Sequence, residues 1–197
     1  MTGDRPQRIS MRGSIVSSGF ASGDRVVVGH WAVSPVGPIT DVMWSSPSGE
    51  RTLFAPTPAA ADFITGVYEF DRVEVVEMRT SSGIRRLDLV FGDRTLGFGA
   101  RRGIRIPVRR PAWFTRYVEG PIARRLMGVQ TYGVSPTGVR EWYRADRWAP
   151  LRSATATIGG ESLGAMAPIR PACGFGFSEP PPRPSWVDVR PLLEYPS

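Results

Sequence analysis

Three titratable side chains in this sequence could work together as acid and base. His30 is the only histidine, and it closely follows a run of three valines. Asp41 lies in the next apolar segment, and Glu141 precedes Trp142 much later in the chain. Imidazole and carboxyl groups transfer protons well when burial or a neighbouring charge brings their pKa near neutrality. We therefore predict His30, Asp41 and Glu141 as candidate catalytic residues of an isomerase, cyclase or hydrolase that uses no metal and no cofactor.

Each of these residues also has a simpler structural interpretation. A lone histidine is often a hydrogen-bonded core residue, because buried polar groups need partners. Glu141 can pair with an arginine at the surface while Trp142 fills the core, because unpaired carboxylates are rarely buried. No G-x-S-x-G sequence frames a serine, so a hydrolase triad has no support from spacing. Cys173 is interpreted as a small buried hydrophobic residue.

Aromatic residues near the titratable groups could form the walls of a ligand pocket. Trp31 and Trp44 lie on successive predicted strands, and Tyr143 lies on a later one. Side chains alternate between the two faces of a strand, so His30 and Trp31 point in opposite directions, with His30 predicted to face inward. We predict that Trp31, Trp44 and Tyr143 contact the apolar part of a ligand. His30 and Arg116 are predicted to hold its anionic part at the rim.

The composition excludes several classes of chemistry. All 25 basic residues are arginine, and the chain contains neither lysine nor asparagine. Without lysine, a Schiff-base enzyme and a Walker-type nucleotide site are both excluded. One histidine and one cysteine cannot form the usual Cys/His zinc site within a single chain. A single cysteine also excludes an intrachain disulfide, which suits a reducing compartment.

The excess positive charge lies in one segment. Residues 101–125 contain eight arginines and one acid, Glu119, for a net charge of +7, while the rest of the chain has 17 arginines and 17 acids. Together with Trp113, Phe114 and Tyr117, this segment could bind an anionic lipid surface or another polyanion. The alternative is a solvated helix face whose aromatic side chains pack inward. No nucleic-acid-binding motif accompanies the charge, so we do not expect nucleic acid as the partner.

Short strands are predicted to position most of these residues. β-Branched and aromatic residues dominate residues 25–56, which predicts three strands with a hairpin turn at Ser48-Gly49. Alternating apolar and polar residues in 71–101 predict a meander with one solvated face. Further strands are predicted at 14–20, 129–134, 139–144, 153–158, 175–177 and 186–190.

Helices are predicted in two places. Thr57 followed by Pro58 has the pattern of a helix start, because the hydroxyl accepts from a free amide and proline has no amide hydrogen to leave unpaired. We predict a helix of about three turns that ends near Val67. Residues 101–128 are predicted to form two short helices that meet at Gly120-Pro121.

These elements predict a mainly β fold. We expect an antiparallel, strongly curved sheet or barrel, lipocalin-like in broad shape, with two or three short helices rather than repeated βαβ units. Residues 1–13 are expected to be a flexible amino terminus, and 14–197 a single β-barrel-like domain with an Arg-rich helical insertion at about 101–128. No stretch approaches the length of apolar sequence that spans a bilayer, and we expect a cytoplasmic protein.

The order of five sequence segments resembles a group of actinobacterial proteins of about this length that have no assigned activity. These segments are ASGDRVVVGHW, SPVGPITDVMW, GERTLFAPT, REWYRAD and FGFSEPPPRPSWV. The resemblance covers most of the chain and implies a stand-alone domain. At the level of the fold, the pattern is similar to lipocalin-like or acetoacetate-decarboxylase-like barrels. The lysine chemistry of the latter cannot operate in a chain without lysine.

The leading functional hypothesis is a small-molecule-binding β-barrel that holds an apolar or partly anionic ligand. The first alternative is a cofactor-free, metal-free enzyme that uses His30, Asp41 or Glu141. The second alternative is a protein that binds an anionic lipid surface or polyanion through residues 101–125. The oligomeric state is left open.

Overall fold

Strands account for most of the computed structural model, which describes residues 8–106, 132–134, 138–142, 144–176 and 179–195. The α-helix in these ranges is α1, Pro58–Thr65. In chain order the strands are β1 Arg8–Ser10, β2 Arg12–Phe20, β3 Arg25–Val33, β4 Ile39–Ser45, β5 Arg51–Ala55, β6 Arg72–Val75, β7 Met78–Gly83, β8 Arg86–Phe91, β9 Arg94–Ala100, β10 Ile104–Arg105, β11 Tyr132–Val134, β12 Arg140–Trp142, β13 Ala145–Ile158, β14 Glu161–Ser162, β15 Met166–Ala167, β16 Ser185–Val189 and β17 Leu192–Glu194.

The main sheet is strongly curled. Its strands follow the order β6-β5-β4-β3-β2-β16-β13-β9-β8-β7, and short strands β10, β14 and β15 pair at its borders. The two ends of this order meet across the concave side, where the rings of Phe54 in β5 and Phe91 in β8 have centroids 5.1 Å apart. The predicted mainly β, strongly curved fold is therefore confirmed, as are the three strands predicted for residues 25–56.

The concave side is filled by apolar side chains. The alternation in β8 places Leu87, Leu89 and Phe91 inward, each with no more than 1% of its surface exposed. They join one cluster with Val28, Trp44 and other residues from β2, β4, β5, β9, β13 and β16. Buried side chains of this kind pack closely against one another. The interior of the curled sheet is thus a packed core, and an opening remains at one end.

One parallel pair departs from the predicted antiparallel pattern. Strands β5 and β6 are parallel, which requires a crossover, and α1 supplies it as a single βαβ unit. The helix begins as predicted, because the Thr57 hydroxyl accepts from the Ala60 amide at 3.2 Å. It ends at Thr65 before Gly66, about one turn shorter than predicted. The side chain of Thr65 donates to the Ala61 carbonyl oxygen at 2.9 Å near this end.

The convex face is covered by α1 and by a second sheet of order β1-β17-β12-β11. A second apolar cluster forms there, with Trp31, Ile39 and Leu53 from the main sheet, Ile64 from α1 and Leu193 from β17. Strand β1 and the start of β2 also fall within the segment that was expected to be a flexible amino terminus. The curled sheet is consequently packed on both faces at β3, β4 and β5.

The described residues include only the first part of the predicted Arg-rich insertion. Residues 104–105 form strand β10, which pairs with β13. The two helices predicted for 101–128 fall mainly on residues 107–131, which lie outside the described residues. In the part of the chain that is described, no helix is both long and apolar enough to cross a membrane.

The packed core predicts a large difference between the two faces of β8. Replacing Phe91 by alanine should lower the free energy of unfolding by about 3–5 kcal/mol, because it leaves a cavity against Phe54. Val90 on the same strand is 49% exposed, so Val90→Ala should cost less than about 1 kcal/mol. Chemical denaturation of both variants measures the difference. Equal losses would show that the concave side is not the packed core described here.

Candidate functional site

A row of polar side chains crosses five strands at the open end of the concave face. Arg147 pairs in register with Asp188 on β16, and Asp188 with Ser14 on β2. The row continues from Ser14 to His30 on β3 and from His30 to Thr40 on β4. Paired residues of adjacent strands project from the same face. Hydrogen bonding across the sheet therefore brings together groups from both ends of the chain.

Asp188 is the centre of this row. Its Oδ1 accepts from the Ser14 hydroxyl at 2.8 Å and from the Trp186 indole nitrogen at 2.9 Å. Its Oδ2 lies 3.6 Å from Nε of Arg147. The Ser14 hydroxyl donates to the carboxylate and not to the imidazole. These contacts do not form the Ser-His-Asp arrangement of a hydrolase, in which the serine must give its proton to histidine.

His30 lies at the same opening and is half-buried. Its Nδ1 is 2.8 Å from the Thr40 hydroxyl oxygen, and its Nε2 has no hydrogen-bond partner among the described residues. Burial lowers the pKa of His30 below its usual value, because the charged form loses hydration. The imidazole is therefore neutral at neutral pH. It can exchange hydrogen bonds with a ligand without carrying a fixed charge.

A cavity of about 230 Å³ opens beside this row, and we call it the mouth pocket. Ala100, Ala149 and Trp186, which belong to the concave core, form its apolar floor. The polar row forms one wall, and residues 82–85 at the tip of the β7–β8 hairpin form part of the rim. The volume lies below the range of about 300–1,000 Å³ typical of sites for drug-sized ligands. The mouth pocket therefore suits a small molecule.

The mouth pocket carries a positive charge. Arg85, Arg101 and Arg147 line it together with one carboxylate, that of Asp188. With His30 neutral, three arginines and one carboxylate give a formal charge of +2. Arg85 and Arg101 are exposed at the rim and form no ion pair with any acidic residue in the described ranges. Such an arrangement attracts carboxylates and phosphates, which the arginine side chain can bind in bidentate fashion.

Asp41 faces the other way. It neighbours Thr40, but its side chain lies on the convex face, 1% exposed, where Oδ1 accepts from the Trp31 indole nitrogen at 2.9 Å. Its Oδ2 has no hydrogen-bond partner among the described residues. Burial raises the pKa of Asp41 to about 7, although the bond from Trp31 opposes the shift. The structure therefore separates His30 and Asp41 onto opposite faces and does not join them as one acid/base set.

The two tryptophans predicted as pocket walls lie in two different clusters. Trp31 packs in the convex cluster with Ile39. Trp44 lies in the concave core, where its indole nitrogen donates to Asp24 Oδ1 at 2.7 Å. Neither lines the mouth pocket. Trp31 and Trp44 therefore lie on opposite faces of the sheet, and their role in binding a ligand stays a prediction.

The remaining predicted site residues are not joined to the mouth pocket by the described structure. Glu141 lies in β12 of the second sheet, where its backbone pairs with Leu193. Tyr143 and Arg116 lie outside the described residues. Their roles in catalysis or binding stay predictions. Cys173 is buried, as interpreted, and burial raises the pKa of its thiol to about 12.

Sequence reasoning missed Asp188, Ser14, Arg147 and Trp186. Strands were predicted at both 14–20 and 186–190, but nothing local indicates that they pair. Ser14 and Asp188 are 174 residues apart in the chain. A useful signal was the alternation itself, since Trp186 and Asp188 fall on one face of their strand.

A second, larger hollow of about 520 Å³ lies on the second sheet beside Trp142 and Leu192. Two of the arginines lining it are already held by carboxylates. Arg8 contacts Glu194 at 2.9 Å, and Arg190 contacts Asp146 at 2.6 Å. Satisfied ion pairs attract a further anion less strongly than the rim arginines of the mouth pocket. We therefore regard the mouth pocket as the candidate site.

Comparison with known proteins finds similar structures but assigns this chain to no family. No protein-family model matches the chain, and no curated protein matches it. An acetoacetate decarboxylase from Legionella pneumophila subsp. pneumophila str. Philadelphia 1 aligns with a TM-score of 0.41 and 10% identity, over 99% of this chain and 90% of that chain. A second acetoacetate decarboxylase structure aligns with a TM-score of 0.46 and 6% identity, over 95% and 84%. At these scores the similarity determines neither the fold nor the activity of this chain.

The burial of Asp41 predicts a specific dependence of stability on pH. Its folded-state pKa of about 7 lies above the ordinary aspartate pKa of 3.8. Between these values the unfolded chain releases a proton that the folded chain retains, so stability falls as pH rises. Asp41→Asn removes this proton and keeps an acceptor for Trp31. The advantage of the variant in unfolding free energy should therefore grow by up to about 4 kcal/mol from about pH 4 to pH 7.

Denaturant unfolding of both proteins across this pH range measures that difference. Other titrating groups, His30 among them, are present in both proteins, and their contributions cancel. A difference that stays constant with pH would show that Asp41 is ionised in the folded protein.

Proposed function

We propose that the protein binds a small molecule with an acidic group in the mouth pocket. The observation that carries the proposal is the concentration of Arg85, Arg101 and Arg147 around a cavity that contains a single carboxylate. Arginine is the side chain best suited to carboxylate and phosphate groups, since its planar guanidinium offers two parallel donors. This is the partly anionic ligand of the leading hypothesis, bound at the mouth.

The two chemical halves of the pocket indicate how such a ligand would be oriented. Its acidic group would lie toward Arg85, Arg101 and Arg147 and toward Nε2 of His30. Its apolar part would rest on the floor formed by Ala100, Ala149 and Trp186, which is continuous with the concave core. Asp188 is held by Ser14 and Trp186, and its charge is partly offset by Arg147. The volume of about 230 Å³ restricts the ligand to a small molecule.

Substitutions in the pocket should weaken anion binding selectively. Arg147→Gln should lower the affinity for small carboxylates or phosphates by about tenfold, because one charge-assisted hydrogen bond contributes about 1.5 kcal/mol or more. The control is Arg152→Gln, at an exposed arginine of the same strand that does not line the pocket. Calorimetry with a panel of aliphatic and aromatic carboxylates and phosphate monoesters measures both, with matching neutral amides as controls.

The proposal fails if no anion of the panel binds. It also fails if the neutral amides bind as tightly as the acids, or if Arg152→Gln weakens binding as much as Arg147→Gln. Circular dichroism of each variant establishes that the fold is retained before binding is compared.

Binding should also take up a proton at His30. In the free protein burial lowers the pKa of His30, whereas a bound anion favours the imidazolium form and raises it. Affinity should therefore increase as pH falls through the His30 pKa of the complex, until the acidic group of the ligand is itself protonated. Calorimetry in buffers of different ionisation enthalpy measures the uptake directly.

Two variants assign the proton. His30→Gln should bind without proton uptake, while Asp41→Asn should retain it, because Asp41 lies on the other face of the sheet. Uptake that survives in His30→Gln would assign the proton to another group and contradict the role of His30. This result would leave anion binding itself intact.

A further inference from the structure

Two isoleucines protrude at the same end of the sheet as the mouth pocket. Ile84 is 90% exposed at the tip of the β7–β8 hairpin, and Ile104 is 70% exposed in β10. They are the most exposed large hydrophobic side chains in the described ranges. Ile84 lines the mouth pocket, and so does Gly103, the neighbour of Ile104. A backbone hydrogen bond of 2.9 Å from Ala100 to Arg85 ties the hairpin tip to the end of β9.

Arginines surround the two isoleucines in the sequence and at the rim. Arg85 follows Ile84 directly, and Arg101, Arg102 and Arg105 lie within three residues of Ile104. All four are exposed, and none forms an ion pair with a described acid. Several arginines elsewhere on the surface are paired with acids, as Arg86 is with Asp88 at 2.6 Å. We call the set Ile84, Ile104, Arg85, Arg101, Arg102 and Arg105 the mouth patch.

The combination of exposed apolar tips with unmatched arginines fits one class of partner better than others. At the surface of an anionic bilayer, isoleucines can enter the boundary between headgroups and acyl chains while arginines contact lipid phosphates. A nucleic acid would match the charge, but it offers no apolar layer for two isoleucines. The patch also contains no aromatic side chain on which bases could stack.

We propose that the mouth patch docks the protein on an anionic lipid bilayer, with Ile84 and Ile104 inserted and the four arginines at the headgroups. This docking would bring the open end of the curled sheet to the membrane surface. The mouth patch shares Ile84, Arg85 and Arg101 with the mouth pocket, whereas Ile104, Arg102 and Arg105 do not line the pocket. Two signals of different chemistry are required, because either one alone gives only marginal membrane binding.

Vesicle flotation with the full chain tests the proposal. The vesicles are phosphatidylcholine alone or phosphatidylcholine with about one-third phosphatidylglycerol, which supplies the negative surface potential. The protein should bind the anionic vesicles and not the neutral ones, and about 1 M salt should release most of it. Ile84→Ser combined with Ile104→Ser should reduce partitioning at least about tenfold, since two apolar side chains are no longer buried.

The charge contribution is tested at Arg102 and Arg105, which do not line the mouth pocket. Replacement of each by glutamine should reduce partitioning roughly fivefold. Controls lie elsewhere on the sheet: Val75→Ser changes an apolar residue that is 52% exposed, and Arg79→Gln changes a surface arginine that pairs with Glu77. Neither should have an effect. Arg147→Gln, which weakens anion binding in the pocket, should leave vesicle binding unchanged.

Three outcomes would overturn the proposal. The first is absence of binding to the anionic vesicles. The second is binding that the isoleucine substitutions leave unchanged, which indicates adsorption by charge alone. The third is binding to a homopolymeric RNA or a polyglutamate peptide that is at least as tight as binding to the anionic vesicles and that does not change when the isoleucines are replaced. This result would assign the patch to a polyanion. Docking is supported if vesicle binding is weakened by the substitutions at Ile84 and Ile104 and at Arg102 and Arg105, but not by the control substitutions.

Discussion

The structure depends on one apolar core that both ends of the main sheet share. Phe54 on β5 packs against Phe91 on β8, although these strands lie close to opposite ends of the strand order. A flat sheet would leave both rings in water, and burial of an aromatic side chain contributes about 1.5–3 kcal/mol. The curl is therefore the shape that buries the concave face. Because the apolar side chains stop short of one end, the polar row remains there and the mouth pocket forms.

The β3–β4 pair shows how the concave and convex faces of the main sheet differ in burial. His30 and Asp41 lie on adjacent strands, yet one borders an opening and the other is sealed beneath α1 and the second sheet. Burial shifts the two pKa values in opposite directions, because it disfavours the charged form of each group. It lowers the pKa of His30 and raises the pKa of Asp41. Both groups are thus shifted toward being uncharged near neutral pH. Only His30 borders the mouth pocket.

The position of the Trp31 indole explains why the buried Asp41 side chain is tolerated among apolar residues. Gly29 pairs with Asp41 across the strands, and a β-carbon at Gly29 would collide with both Asp41 Oδ1 and the indole nitrogen of Trp31. At Gly13 a β-carbon would collide with the backbone of His30. The absence of side chains at these two positions leaves space for the indole to lie against the sheet and donate to the carboxyl group. The hydrogen bond offsets part of the cost of burying Asp41.

The sequence by itself determined the local elements. Alternation in β8, the β-branched run in β3 and the Thr57-Pro58 start of α1 are local signals, and each was confirmed because it acts over a few residues. The composition also excluded lysine-dependent chemistry. Most of the candidate site could not be predicted from the sequence. Local patterns identified His30 as a site residue, but they did not identify Asp188, Ser14, Arg147 or Trp186.

Only the tertiary structure decided which strands pair and which face is covered. Alternation defines two faces of a strand, but it does not state which neighbour packs on each, so Trp31 and Trp44 could not be assigned to separate clusters. The contact of Ser14 with Asp188 joins residues 174 positions apart, and no local preference specifies such a pair. It follows from the curl of the whole sheet, because closing the apolar core brings β2 and β16 side by side.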